Sequence, residues 1–194
     1  IGDGSTENSN IPVLVSSSNG FTNTAVTAVG AGGDTTCAIE GGTLWCWGGA
    51  GLGNLGNGTA GTSNVPVKVS ASGTGAEEFF NNGNVTAVTA EYARTCAIES
   101  GKVFCWGLAN DALGLGSANA VANVPNRVAD SAPAGFRAAS ATSIHMGTSF
   151  ACAVAGGQIY CWGYGVSGQL GNGTNGDSNR PVLISTSSGS EFTN

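Results

Sequence analysis

The residues best placed to do chemistry are six cysteines in three pairs of one spacing: Cys37/Cys46, Cys96/Cys105 and Cys152/Cys161. Three kinds of thiol chemistry fit such pairs. They are disulfide formation, metal ligation, or six inert buried thiols. Cys-x8-Cys is not a zinc spacing, and the chain has a single histidine, His145. A catalytic histidine needs a nucleophile and an orienting partner, so His145 reads more simply as a turn or packing residue. Asp3, Glu7 and Asp177 lie in the loops GDGSTENSN and GNGTNGDSN, where they could offer oxygens to calcium. Each loop holds only one or two carboxylates, without an EF-hand or nonapeptide repeat. Glu77, Glu78 and Glu91 are scattered and read as a solvated face. No phosphate loop, G-x-S-x-G elbow or H-E-x-x-H motif occurs. The sequence therefore assigns no catalytic residue, no cofactor and no metal site.

The elements that carry the cysteines repeat. CAIEGGTLWCWG at 37–48 returns as CAIESGKVFCWG at 96–107 and CAVAGGQIYCWG at 152–163. Cys37 and Cys96 are 59 positions apart, and Cys96 and Cys152 are 56 apart. A period in this range marks an array of units that cannot bury their apolar faces alone. Pro12, Pro66, Pro125 and Pro181 each head a short strand-like run: IPVLV, VPVKV, VPNRV and RPVLI. Gly-rich turns precede the last three, at 53–59, 113–117 and 168–174. VTAV at 26–29 and 85–88, and ATSI at 141–144, lie upstream of the cysteine pairs. Each unit thus reads as a strand, a tight hairpin, a Gly-rich loop and a Pro-led strand. The best helical candidate, EEFF at 77–80, makes one turn at most.

Pairing Cys37 with Cys46 places Ala38 opposite Trp45, Ile39 opposite Leu44 and Glu40 opposite Thr43. Gly41-Gly42 is then a two-residue turn, as are Ser100-Gly101 and Gly156-Gly157 in the other units. Such turns need positive φ, which glycine supplies without steric cost. The cysteine pair falls at a non-hydrogen-bonded position, with Cα atoms about 4.5 Å apart, within bridging reach. Each bridge would contribute about 2.7 kcal/mol in the chain-entropy treatment. Trp47, Trp106 and Trp162 recur in phase and read as blade-packing residues. Trp45, Phe104 and Tyr160 share an aromatic slot that faces Ala38, Ala97 and Ala153, a large-opposite-small arrangement.

Only 9% of residues are charged, and the net charge is −6 with 33 glycines. That composition argues against nucleic acid and anionic membrane surfaces as partners. No apolar run is long enough to insert in a membrane. Regular cysteine pairs favour an oxidising, extracellular or cell-surface location. Asn57, Asn84 and Asn172 head Asn-x-Thr sequons, which matter only in a glycosylating host; Asn-Gly-Thr is also good turn chemistry.

Taken together, the Cys-Ala-(Ile/Val) step, the Gly turn, Cys-Trp-Gly, Gly-Gln-Leu-Gly-Asn-Gly-Thr and the Pro-Val strand resemble the regulator of chromosome condensation repeat. The third unit, Cys152 through Val182, fits best. The resemblance implies four-stranded blades in a propeller, commonly seven-bladed. Where that family often has histidine, two places before Cys-Ala, this chain has Thr35, Arg94 and Phe150. The second unit reads LGLG at 113–116 in place of Gly-Gln-Leu-Gly. The paired cysteines resemble secreted bacterial members. Family activities range from nucleotide exchange on a small GTPase to β-lactamase inhibition, so fold does not fix function.

The expected fold is all-β: three propeller-like repeats of about 57 residues plus a duplicated terminal strand. Residues 1–23 read as the tail of a preceding repeat, 24–80 as repeat 1, 81–138 as repeat 2, and 139–194 as repeat 3 with the start of a next one. Residues 1–23 resemble 170–194, so the two ends stand in phase to continue, and the chain reads as a piece of a longer polypeptide. Three blades from one copy do not close a ring. The expected function is a non-enzymatic extracellular scaffold that self-assembles, with a head-to-tail filament as one form. Its partners are then other copies or further repeats. The alternative is a protein-binding module, adhesin- or inhibitor-like, forming an arc of a longer propeller and contacting another protein.

Overall fold

The computed structural model describes residues 1–49, 51–72, 80–108, 111–116, 122–130 and 135–185. They form three four-stranded antiparallel sheets, each a meander in sequence order. The first blade holds β1 (Val26–Gly32), β2 (Thr35–Glu40), β3 (Thr43–Gly48) and β4 (Ser63–Lys68). The second holds β5 (Val85–Glu91), β6 (Arg94–Glu99), β7 (Lys102–Gly107) and β8 (Ala122–Arg127). The third holds β9 (Ala141–Met146), β10 (Phe150–Ala155), β11 (Gln158–Gly163) and β12 (Ser178–Leu183). This is the all-β, blade-based architecture that the repeat predicts, and no one sheet closes on itself.

The central hairpins have the predicted register. Cys37 pairs with Cys46, Ala38 with Trp45 and Ile39 with Leu44, and the other blades repeat this register. Both turn residues take positive φ in every hairpin, including the non-glycine Ser100 at 51°. That geometry matches the right-handed twist of the flanking strands.

Blades stack face to face in chain order. The face of blade 1 that carries Cys37, Ile39, Leu44 and Cys46 packs on Ala97, Phe104 and Trp106 of blade 2. Likewise Cys96, Ile98, Val103 and Cys105 pack with Ala153, Tyr160 and Trp162 of blade 3. Every blade therefore has a trailing face, with the cysteines and aliphatics, and a leading face, with alanine, an aromatic and tryptophan. The core lies between blades, which is why a single repeat does not suffice.

Two local features differ from the sequence reading. The Pro-led run at 11–15 belongs to no sheet, although its counterparts at 65–68, 124–127 and 180–183 do. A fourth strand needs a third strand beside it, and none of the described residues supplies one. The one helical element among the described residues is a 3-10 turn, Asp111–Leu113, in the loop before β8. Of the helical candidate at 77–80, residues 77–79 lie outside the described residues, and Phe80 forms an isolated bridge with Ser72.

Candidate interaction surface: the blade faces

The blade-to-blade contact is built from a small set of recurring residues. Trp106 donates its indole N–H to Asn54 O at 3.0 Å, and Trp162 donates to Ala112 O at 3.0 Å. Trp47 does the same to Ile1 O at 3.2 Å. All three indoles are buried. Each lies over a glycine of the preceding Gly-rich loop: Gly2, Gly56 and Gly114, all at positive φ. A Cβ at Gly56 would stand 2.5 Å from Trp106 Nε1, and one at Gly114 would stand 2.7 Å from Trp162 Nε1. Glycine is required here by both conformation and space.

A phenylalanine from the inter-repeat linker completes each contact. Phe80 meets Phe104 edge-on at 5.2 Å and Trp106 at 6.1 Å. Phe136 meets Tyr160 at 5.2 Å and Trp162 at 5.7 Å. Phe21 meets Trp45 at 5.9 Å and Trp47 at 6.2 Å. Such pairs add about 0.5–1.5 kcal/mol each beyond area burial. The sequence reading did not single out these phenylalanines. Their signal was available in the shared Phe-Thr-Asn and Phe-Asn-Asn triplets at 21–23 and 80–82.

Polar locks accompany the aromatics. Glu40 accepts hydrogen bonds from Thr22 N and Thr22 Oγ1 at 2.8 Å each and from Thr24 N at 3.0 Å. Desolvation pushes its carboxyl up, but these donors outweigh it and hold Glu40 below the usual carboxylate range. Glu99 holds the next linker, accepting from Asn81 N at 2.9 Å and Gly83 N at 2.8 Å. The positions without the family's histidine are filled in different ways. Thr35 Oγ1 donates to Gly49 O at 3.2 Å, and Arg94 Nη1 donates across the blade junction to Thr148 O at 2.6 Å. Phe150 packs on Gly147.

The cysteine sulfurs of each pair lie at bonding distance, with Cα atoms 4.0 Å apart for Cys37–Cys46 and 4.1 Å for Cys96–Cys105 and Cys152–Cys161. These separations are shorter than the idealised pair distance used above.

The other candidate residues do not converge. His145 sits exposed on β9 opposite Cys152, with no acid or nucleophile bonded to it among the described residues. Asp3 is tied into its own turn: Ser5 N–H, then the Ser5 hydroxyl, holds its carboxyl below the usual range. Asp177 Oδ1 accepts Gly165 N at 2.8 Å, and Glu7 is exposed. No group of three or more metal-capable side chains occurs among the described residues. Nor is any helix there long and apolar enough to cross a membrane. Asn57 and Asn172 each cap their own threonine two residues on, and Asn84 contacts Ser100. A cleft of about 390 Å³ opens where blades 1 and 2 meet, lined by Asp34, Asn54, Thr62 and the exposed Tyr92.

Phe21 and Val15 cover Ala38, Trp45 and Trp47 on the leading face of blade 1, and single apolar residues of the outer blades are more exposed than their counterparts. Val29 on the leading face of blade 1 is 68% exposed, whereas its equivalent Ile144 in blade 3 is 3% exposed. Ile159 on the trailing face of blade 3 is 41% exposed, against 0% and 3% for its equivalents Leu44 and Val103.

Comparison with known proteins agrees with this architecture. The family model for the regulator of chromosome condensation (RCC1) repeat matches residues 156–194. The human E3 ubiquitin-protein ligase HERC2 is 29% identical over 164 residues, which is 84% of this chain and 3% of HERC2. Human WBSCR16 superposes with a TM-score of 0.68 at 23% identity, covering 88% of this chain and 39% of that one. Prp20p of Saccharomyces cerevisiae gives 0.65 at 17% identity, covering 87% and 40%. The chain thus spans a small part of HERC2 and about two fifths of each solved structure. It carries a match to the RCC1 repeat at 156–194, and over most of its length it is similar to proteins built of RCC1-type blades.

Proposed function

We propose that the chain is a non-enzymatic repeat protein that works by blade-to-blade contact with other protein, as an extracellular, self-assembling scaffold. The observation that carries this reading is the recurring blade face: a trailing face of cysteines and aliphatics meets a leading face of alanine, aromatic and tryptophan at both junctions. The faces are complementary in type, since one is leading and the other trailing. Low charge reduces both repulsion and desolvation when identical copies pack, and paired cysteines suit an oxidising compartment. A net charge of −6 disfavours nucleic acid as the partner.

A second reading is a protein-binding module that forms an arc of a longer propeller. The cleft beside Tyr92 favours it, as does the yeast relative Prp20p, whose structure was reported with its binding to Gsp1p and histones. Negative-stain microscopy of the purified chain separates the two readings. Fibres or rings of stacked copies are expected for the scaffold. Monodisperse single particles at high concentration would exclude it and leave the binding module.

A further inference from the structure

The cleft between blades 1 and 2 has an unpaired, buried acceptor among its lining residues. Asp34, Gly49, Asn54 and Thr62 of blade 1 line it, with Tyr92 and Ala93 from the turn between β5 and β6. Asn54 is 3% exposed and is held from both blades. Its backbone O accepts Thr95 Oγ1 at 2.8 Å and Trp106 Nε1 at 3.0 Å, both from blade 2. Its Nδ2 donates to Gly49 O at 2.7 Å and to Thr35 Oγ1, both in blade 1. The bond to a carbonyl fixes which end of the amide is nitrogen. Oδ1 is the other end, and it is buried with no hydrogen-bond partner among the described residues. A rigidly held acceptor of this kind calls for a donor from outside the chain. The rim adds a charge and a ring. Asp34 is exposed, and no donor is bonded to its carboxylate among the described residues. Tyr92 is 59% exposed at φ 52°, where the equivalent residue of blade 1 is Gly33 at 57°. A bulky side chain is thus kept at a backbone conformation that favours glycine. Arg94, two residues on, is committed to blade 3, where its Nη1 donates to Thr148 O at 2.6 Å. Aspartate and tyrosine meet again at the next junction, where Asp111, Ser149, Tyr164 and Asp177 line a smaller cleft of about 160 Å³.

We infer that the cleft between blades 1 and 2 receives an arginine side chain of a partner protein. This rests on the binding-module reading and names the chemistry of its partner. Asn54 Oδ1 and the two carboxylate oxygens of Asp34 are acceptors, and the Thr62 hydroxyl can act as one. A guanidinium is their complement, with five N–H donors in a planar fork, no acceptor and a permanent charge. Its plane would stack on the Tyr92 ring while its N–H groups bond Asp34 and Asn54 Oδ1. An ammonium would satisfy the charge but has no plane to lay on the ring. A phosphate or carboxylate would be repelled by Asp34, and an apolar group would leave Oδ1 unpaired. The volume of about 390 Å³ lies near the low end of ligand clefts, which suits one side chain better than a cofactor. A net charge of −6 favours the approach of a basic partner.

The test is an NMR titration of the 15N-labelled full chain with the peptide acetyl-Gly-Arg-Gly-amide. Its citrulline counterpart, in which a neutral urea replaces the guanidinium, is titrated beside it. Saturable shifts are expected at the backbone amides of Asp34, Gly49 and Ala93 and at the side-chain amide of Asn54. The arginine peptide should bind at least about fivefold more tightly than the citrulline peptide. Asp34→Ala and Tyr92→Asn should each weaken arginine binding roughly two- to fivefold. Both positions are exposed and asparagine tolerates the φ of Tyr92, so the remainder of each spectrum should stay that of the folded chain. Equal binding of the two peptides would overturn the cation assignment. Shifts spread over carboxylates elsewhere, such as Glu7 and Glu40, or no shifts at all, would overturn the site. The binding-module reading is decided separately by negative stain, where single particles keep it and fibres or rings remove it.

Discussion

The side chain of Asn82, which belongs to the linker into blade 2, is paired with the backbone of Leu44 in blade 1. Leu44 N donates to Asn82 Oδ1 at 2.6 Å, and Asn82 Nδ2 donates back to Leu44 O at 3.1 Å and to Val69 O at 2.8 Å. A buried amide thus mimics one more strand residue beside β3, where β4 has already ended. Asn82 also sits at φ 60°, a conformation that asparagine tolerates better than most residues.

Asn82→Ala therefore removes all three hydrogen bonds of a buried amide and strains the backbone. The expected cost is about 2–4 kcal/mol in urea unfolding. Asn23 is the matching residue of the first linker, and its one side-chain bond is to Val15 O at 3.3 Å. Asn23 also sits at φ 58°, so Asn23→Ala carries the same backbone strain but loses one bond rather than three, and should cost about 1–2 kcal/mol. Equal losses for the two variants would show that the bonds to Leu44 are not what matters.

The glycine under each tryptophan makes a sharper prediction. Gly56→Ala puts a methyl 2.5 Å from Trp106 Nε1 on a residue at φ 68°. Overpacking and left-handed strain together should cost about 2–4 kcal/mol. Trp106→Phe removes the indole edge and its bond to Asn54 O, so the double variant should lose less than the sum of the singles. A coupling of roughly 1 kcal/mol or more is expected in the double-mutant cycle. Strict additivity would mean that the loop moves aside and the indole is not the constraint.

These relationships explain how much of the molecule was readable before folding. Strand order and hairpin register followed from local arithmetic, because Gly41-Gly42, Ser100-Gly101 and Gly156-Gly157 fix each pairing without help from afar. The large-opposite-small match of Ala97 with Phe104 was readable for the same reason. What was not readable is contact between repeats. Phe80, Asn82, Glu40 and Glu99 act on residues from 13 to 38 positions away, and nothing in their immediate neighbourhood announces it. The run at 11–15 shows the converse. Its pattern is that of a strand, but a strand exists only beside a partner, and pattern alone does not supply one.

The three cysteine bridges should differ in accessibility. Cys37 and Cys96 are fully buried between blades, whereas Cys152 on the open trailing face is partly exposed. In dilute, unassembled protein, mild reductant followed by alkylation should label Cys152 and Cys161 first. Peptide mass spectrometry reads this directly. Replacing both Cys96 and Cys105 with serine should cost about 2–3 kcal/mol, near the entropy of the small loop it opens. Simultaneous labelling of all three pairs would mean that blade packing does not protect the inner two, and alkylation without reductant would mean that the bridges are absent in solution.

The Glu40 lock gives the chain a dependence on pH of definite sign. Desolvation is the largest single influence on the folded carboxyl and raises it, but the donors from Thr22 and Thr24 to its ionised form together outweigh it, so it titrates below its ordinary value of 4.5. A carboxyl depressed on folding stabilises the native state above its unfolded pKa, and that stabilisation is lost as pH falls through the folded pKa. Glu40→Gln keeps the shape but removes the charge. The melting temperatures of wild type and Glu40→Gln should therefore differ most at neutral pH, and the gap should close as the pH falls below 4.5 and through the folded pKa. Limited proteolysis should report the same change locally, with cleavage in 22–25 faster in the variant at neutral pH and equal in both proteins once the carboxyl is protonated. A gap that widened on acidification would reverse the assigned sign and remove Glu40 from its role in clamping the first linker to blade 1.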